Sequence, residues 1–142
     1  MNEILYFIIK NCSFLYEQYE FRFIDSAISK FSGYAAIILG SSDLNIRFSV
    51  ERGQMISEFQ SNYEKKDIYS WYSIDVVRQL ITGEKECIAL MDEKNTNFLK
   101  NNISNILEIF SKQNVKNTIL KLKQLERIRS KTLGGNRRGG GE

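Results

Sequence analysis

The chain has 142 residues, 42% hydrophobic and 26% charged, with a formal net charge of +3, two cysteines, and neither histidine nor proline. That length suits one domain with one core, and two cysteines outside any CxxC pair exclude a disulfide scaffold and read as buried, reduced thiols. The missing histidine removes the commonest general base, the Ser–His and Cys–His nucleophile pairs and most zinc sites.

The N-terminal stretch MNEILYFIIKNCSFLYEQYEF places Glu3 where an export signal carries positive charge, and polar residues follow too soon for such a signal. No run approaches the ~18 apolar residues that span a bilayer. The expectation is a cytoplasmic protein without a membrane segment. Ile4, Phe7, Ile8, Cys12, Leu15 and Tyr19 recur at spacings of three and four, which predicts one amphipathic helix over 3–19.

Four alternating segments follow: FRFID, YAAIILG, LNIRFSV and QMISEFQ. Turn residues separate them at Phe31-Ser32-Gly33, Ser41-Ser42-Asp43 and Arg52-Gly53, the signature of an antiparallel meander. A two-residue turn at Arg52-Gly53 sets Glu51 opposite Gln54, Val50 opposite Met55, Arg47 opposite Glu58 and Ile46 opposite Phe59. A turn at Ser42-Asp43 sets Leu39 opposite Ile46 and Ile37 opposite Phe48. Both registers bury the face of Leu44, Ile46, Phe48 and Val50, as consistent pairing requires. The motif-like tetrapeptide Glu51-Arg52-Gly53-Gln54 is therefore a hairpin tip rather than an active-site loop, with Gly53 supplying positive φ.

Residues 62–72 form a polar, aromatic-rich connection. Ser73 is placed to cap a short helix with Ile74, Val77, Leu80 and Ile81 on its apolar side, ended by Gly83. Residues 84–91 fit either a loop or a short strand. Asp92 caps a longer helix carrying Phe98, Leu99, Ile103, Ile106, Leu107 and Phe110. A last helix, about 115–132, puts Ile119, Leu122, Leu125 and Ile128 on one side and stops at Gly134-Gly135. The expected fold is α+β: an N-terminal helix, a four-stranded antiparallel meander and three C-terminal helices packed mainly on one face. It occupies one domain over 1–133, followed by a disordered Gly/Arg tail over 134–142.

Charge divides the chain unevenly. Between Lys116 and Arg138 eight basic residues and one acid give +7, whereas residues 1–115, with twelve basic and fifteen acidic residues, give −3. No carboxylate cluster has metal-loop spacing, and neither GxxxxGK[ST] nor GxGxxG occurs, so no catalytic residue, metal ligand or cofactor site is expected. Two surfaces can carry function. The aromatic group Tyr63, Tyr69, Trp71 and Tyr72, set among Glu64, Lys65, Lys66 and Asp67, has the composition of a protein-binding hot spot, with Tyr69, Trp71 and Tyr72 as anchors and Glu64 and Asp67 supplying polar complementarity. Lys121, Lys123, Arg127, Arg129, Arg137 and Arg138 supply the charge density that neutralises phosphates in nucleic acid, although no aromatics are interleaved among them.

The run from FRFIDS through YAAIILGSSDLNIRFSVERGQMISEFQS to WYSIDVVRQLITGE resembles a set of small bacterial proteins. They share a hairpin ending in an acid followed by Arg-Gly-Gln and a helix start of Trp-Tyr-x-Ile-Asp. The later NFLKNNISNILEIFS and LKLKQLERIRSK continue the likeness, which covers about residues 14–133. These proteins are similar to the immunity proteins of polymorphic toxin and contact-dependent inhibition systems. The resemblance implies a non-enzymatic binding protein that neutralises a cognate toxin, and it carries over no site residue. The alternative expectation is a nucleic-acid-binding accessory subunit of a bacterial defence complex, working through the basic C-terminus.

Overall fold

A computed structural model describes the backbone of residues 1–85 and 88–141 and the side chains of residues 1–85 and 88–130. The N-terminal stripe forms two helices rather than one, α1 (Asn2–Asn11) and α2 (Phe14–Gln18). The break lies at Cys12, whose φ of −126° and ψ of 20° leave the helical region while its N–H still bonds Ile8 O at 2.8 Å. Ile4, Ile8, Cys12 and Leu15 are all fully buried, so the break keeps the stripe on one side. Burial pushes the Cys12 thiol up to about 12, as expected of an inert, reduced cysteine. Cys87, read the same way from the sequence, lies outside the described residues.

The sheet comprises β1 (Arg22–Ser29), β2 (Tyr34–Gly40), β3 (Leu44–Glu51), β4 (Gln54–Ser61) and β5 (Trp71–Ser73), in that spatial order. Every neighbouring pair is antiparallel. The registers match those read from the turns: Glu51 with Gln54, Val50 with Met55, Arg47 with Glu58 and Ile46 with Phe59. Leu39 pairs with Ile46, and Ile37 with Phe48. Arg52 (φ 54°) and Gly53 (φ 75°) are both left-handed, as a type I′ hairpin turn demands. The fifth strand is a departure from the expected meander of four. Its three residues are too few to show alternation, so the sequence presents it only as the end of an aromatic connection.

Three helices follow, α3 (Ile74–Thr82), α4 (Glu93–Ile109) and α5 (Val115–Gly141). Gly83, at φ 79°, ends α3 in the left-handed conformation. Ser73 is the N-cap of α3, but its hydroxyl makes no capping bond, whereas the Asp92 carboxylate accepts from Asn95 N at 2.8 Å to cap α4. The ambiguous stretch between these helices contributes one strand-like bridge, Leu90 to Ile56, and Met91 N donates to Met55 O at 2.8 Å.

One hydrophobic core joins the helices to the inner face of the sheet. Phe7 packs on Phe48 with ring centres 6.0 Å apart, and Phe110 stacks on Phe59 at 6.4 Å. Burying aromatic side chains such as Phe48 and Phe59 contributes about 1.5–3 kcal/mol each. Leu122 anchors α5 in the core, with Ile119 and Leu125 partly buried beside it. Ile128, expected on that side, is exposed, because it lies off the face that Leu122 and Arg129 turn toward the body. α5 does not stop at Gly134-Gly135 but runs on to Gly141, so the backbone of the anticipated disordered tail is helical that far, and its side chains lie outside the described residues. Among the described residues no helix is long and apolar enough to cross a membrane.

Candidate protein-binding site

The connection from β4 to β5 is held by side chains at both ends. Asn45, on β3, donates through Nδ2 to Gln60 Oε1 at 3.1 Å and Asn62 Oδ1 at 3.0 Å. Asn62 Nδ2 donates in turn to Ser41 O at 2.8 Å. These amides fix the start of the loop to the β2–β3 turn. The Tyr63 hydroxyl donates to the Asp43 carboxylate on the same turn, and this bond is the main reason its phenol is pushed above the ordinary value. At the other end, Tyr69 N donates to Asp67 Oδ1 at 2.8 Å, closing an Asx turn. Ser70 Oγ donates to Asp67 O at 2.7 Å and accepts from Gln60 Nε2 at 2.9 Å.

A loop tied at both ends can present apolar side chains at small entropic cost. Tyr69 is 74% exposed and Ile68 is 81% exposed at its crest. Ile68 was not singled out by sequence reasoning. Its signal is a lone β-branched residue between Asp67 and Tyr69 in an otherwise polar loop.

The two aromatics after the loop part company, because successive strand residues point to opposite faces. Trp71 lies on the open face of the sheet, its ring 4.2 Å from the Arg47 guanidinium carbon. Arg47 donates from Nε and Nη2 to Glu58 Oε1 at 3.1 and 2.7 Å, so Trp71 caps a cross-strand ion pair. Tyr72 points the other way, opposite Phe59, and is only 2% exposed. As a surface anchor Tyr72 is therefore corrected: it is a core residue, placed there by the alternation that leaves Trp71 accessible. Of the five residues expected to bind a protein, Glu64, Asp67, Tyr69 and Trp71 keep surface on the loop or its flank.

Between the loop and α5 lies a cleft of about 190 Å³, lined by Glu64, Asp67, Tyr69, Tyr72, Ile119 and Lys123 among others. Acidic loop residues and a lysine from the basic helix thus meet at one place. Lys123 Nζ sits 5.9 Å from the Tyr72 ring centre. Burial raises the Tyr72 phenol pKa, against the lowering effect of Lys123. Deeper along α5, Arg129 Nη1 donates to Oδ2 of the buried Asp75, whose Oδ1 has no hydrogen-bond partner among the described residues. Asp75 is buried by its place in the first turn of α3, beneath α5. Glu126 is raised first by burial and also by Asp75, with Lys123 and Arg129 acting in the opposite direction.

The basic set is therefore divided. Lys123 and Arg129 turn toward the body, Lys121 and Arg127 remain exposed, and the side chains of Arg137 and Arg138 lie outside the described residues. The hairpin tip with Glu51, Arg52 and Gln54 borders a shallow depression of about 450 Å³ on the open sheet face. Among the described residues no group of three or more histidines, cysteines and acids could hold a metal ion. No family model, curated protein or solved structure matches the chain.

Proposed function

We propose that this chain is a non-enzymatic protein-binding module, an immunity protein that binds and neutralises a cognate bacterial toxin. The observation that carries the reading is the tethered 62–70 loop, which holds Ile68 and Tyr69 exposed between Asp67 and the half-buried Trp71. A rigid aromatic–aliphatic crest flanked by Glu64, Lys65, Lys66 and Asp67 has the anatomy of a hot spot with a polar rim. Glu64 and Asp67 supply electrostatic complementarity to a basic partner and speed encounter with it. The sequence resemblance over residues 14–133 points to the same class of function.

The test is affinity purification of the chain from native cells, with and without nuclease, followed by co-expression of any partner with the chain in a sensitive host. The expected result is one stoichiometric protein that survives nuclease and whose toxicity the chain suppresses. Tyr69→Ala combined with Trp71→Ala should weaken that complex while the fold survives. Full affinity in the folded double variant would remove the loop from the interface. Co-purifying nucleic acid, lost at high salt and without a protein partner, would overturn the reading in favour of the basic helix.

A further inference from the structure

The other edge of the sheet carries a second surface. β1 is the terminal strand, and every residue from Arg22 to Ile28 is exposed. Phe23 and Ile28 pair with Leu39 and Ala35 and so belong to the helix-covered face, yet both stay at least half exposed, although the Phe23 ring meets Tyr16 of α2 at 5.9 Å. Ile28 is 62% exposed and Phe31, in the following turn, is fully exposed. Leu5 and Ile9 of α1 are exposed as well, on the flank of that helix opposite Phe7. Phe7 packs on Phe48 of β3, which leaves the Leu5–Ile9 flank turned toward β1. An edge of this length with apolar side chains invites strand addition unless it is blunted.

The free edge is also defined at the level of the main chain. Ser26 N donates to the Asp25 carboxylate at 2.8 Å instead of to β2. Ser26 and, two residues on, Ile28 therefore turn their main-chain groups outward. A bulge separates Phe23 from Asp25, and the regular stretch beyond it, residues 25–29, is centred on Ala27. Symmetric antiparallel pairing about Ala27 sets Ser26 opposite Ile28 and Asp25 opposite Ser29, with no like charges facing. Centring on Asp25 would oppose two carboxylates. Phe23 and Phe31 flank this regular stretch at its two ends, one before the bulge and one in the turn.

We propose that β1 is the seam of a two-fold symmetric homodimer, in which the sheets of two copies join through antiparallel β1–β1 pairing about Ala27. Ser26 N–H and Ile28 C=O of each copy bond the Ile28 C=O and Ser26 N–H of the other, and the Asp25 carboxylate gives up its bond to Ser26. Leu5, Ile9, Phe23, Ile28 and Phe31 each offer on the order of 100 Å². With the strand and its neighbours this approaches the roughly 800 Å² per partner of a standard interface. Self-complementarity is what favours a second copy over an unrelated strand, since an isologous contact needs one patch that matches itself.

Sedimentation velocity of the full chain over a concentration series tests this directly. The expected result is a twofold mass at high concentration, with Ile28→Lys and Phe31→Asp each returning the monomer and Tyr69→Ala leaving the dimer intact. Both β1-side substitutions replace exposed residues, and circular dichroism confirms that the variants fold. Amide exchange at Ser26 and Ile28 should slow as the wild-type chain dimerises. A wild-type monomer throughout the series would overturn the proposal, as would a dimer that survives both substitutions or dissociates on Tyr69→Ala alone.

Discussion

The two edges of this sheet are built on opposite plans. At one edge β5 has three residues, is reached through a loop held by side-chain hydrogen bonds, and sends Tyr72 into the core beneath α5. The neighbouring length of β4 is covered by the bridge at Leu90. At the other edge β1 has eight residues and almost no cover on either face. A sheet edge can be protected by covering it, shortening it or pairing it. The β5 side uses the first two devices; the β1 side carries a bulge before Asp25 and is otherwise open to the third. The contrast separates two kinds of surface: a small rigid crest suited to a specific partner, and a long strand suited to main-chain pairing.

The largest expected effect tests whether β5 belongs to the core while β1 does not. Tyr72→Ala should cost about 3–5 kcal/mol, the range for emptying a large buried aromatic site. Ile28→Ala, at the same sheet's other edge, should change monomer stability by no more than about 0.5 kcal/mol. Urea unfolding of the two variants under monomeric conditions gives the comparison. Similar costs at both sites would erase the distinction between the edges.

The cover over β4 has its own anchor. Asn95 is fully buried; its Nδ2 donates to Ile88 O at 2.6 Å and Leu90 O at 2.7 Å, and its Oδ1 accepts from Arg78 at 3.1 Å. Asn95→Ala leaves those carbonyls without that donor and should cost about 2–3 kcal/mol. The exchange rate of the Met91 amide, bonded to Met55 O, should rise more than that of amides in β2 or β3. An unchanged Met91 rate would mean that the bridge holds without Asn95.

The Asp75–Arg129 pair predicts an asymmetry. Asp75 is buried, while the Arg129 side chain keeps about a third of its surface in water. Removing Arg129 strands a buried carboxylate, whereas removing Asp75 leaves a cation that can hydrate. Arg129→Ala should therefore cost roughly 2 kcal/mol and Asp75→Ala about half as much. Equal costs in thermal unfolding would place the pair in a more open setting than its burial indicates.

How much of this was legible in the sequence follows from which signals are local. The β2–β4 registers could be read because Arg52-Gly53 and Ser42-Asp43 fix hairpins whose alternation agrees on one buried face. Gly83 and Asp92 marked helix ends through backbone chemistry of their own. The break at Cys12 was hidden, since the stripe keeps its spacing across it. β5 escaped because three residues cannot display a period. The candidate loop was visible in composition, yet Tyr72 was grouped with Tyr69 and Trp71 because assigning faces needs the pairing of Tyr72 with Phe59. Arg129 looked like one more phosphate-binding cation, and only the contact between α3 and α5 reveals its partner. Long-range pairing, not residue type, decided each of these cases.

The smallest effect bears on the covered side and is a matter of pH. Glu126 lies where burial and the Asp75 carboxylate together outweigh the attraction of Lys123 and Arg129, so its folded pKa stands above 4.5. The folded chain consequently holds this proton to higher pH than the unfolded chain does. Stability from this group is fully present below about pH 4.5 and is lost as pH rises through the folded value. Near neutrality the ionised carboxylate is thus a net cost, screened because the site is partly open to water. Glu126→Gln should raise stability at neutral pH by well under ~1 kcal/mol. It should also flatten the decline in stability just above pH 4.5, as measured by urea midpoints across a pH series. A Gln variant that is less stable at neutral pH would mean that the coulombic attraction of Lys123 and Arg129 outweighs burial. The junction of loop, α3 and α5 would then be an attractive charge network rather than a packed seam.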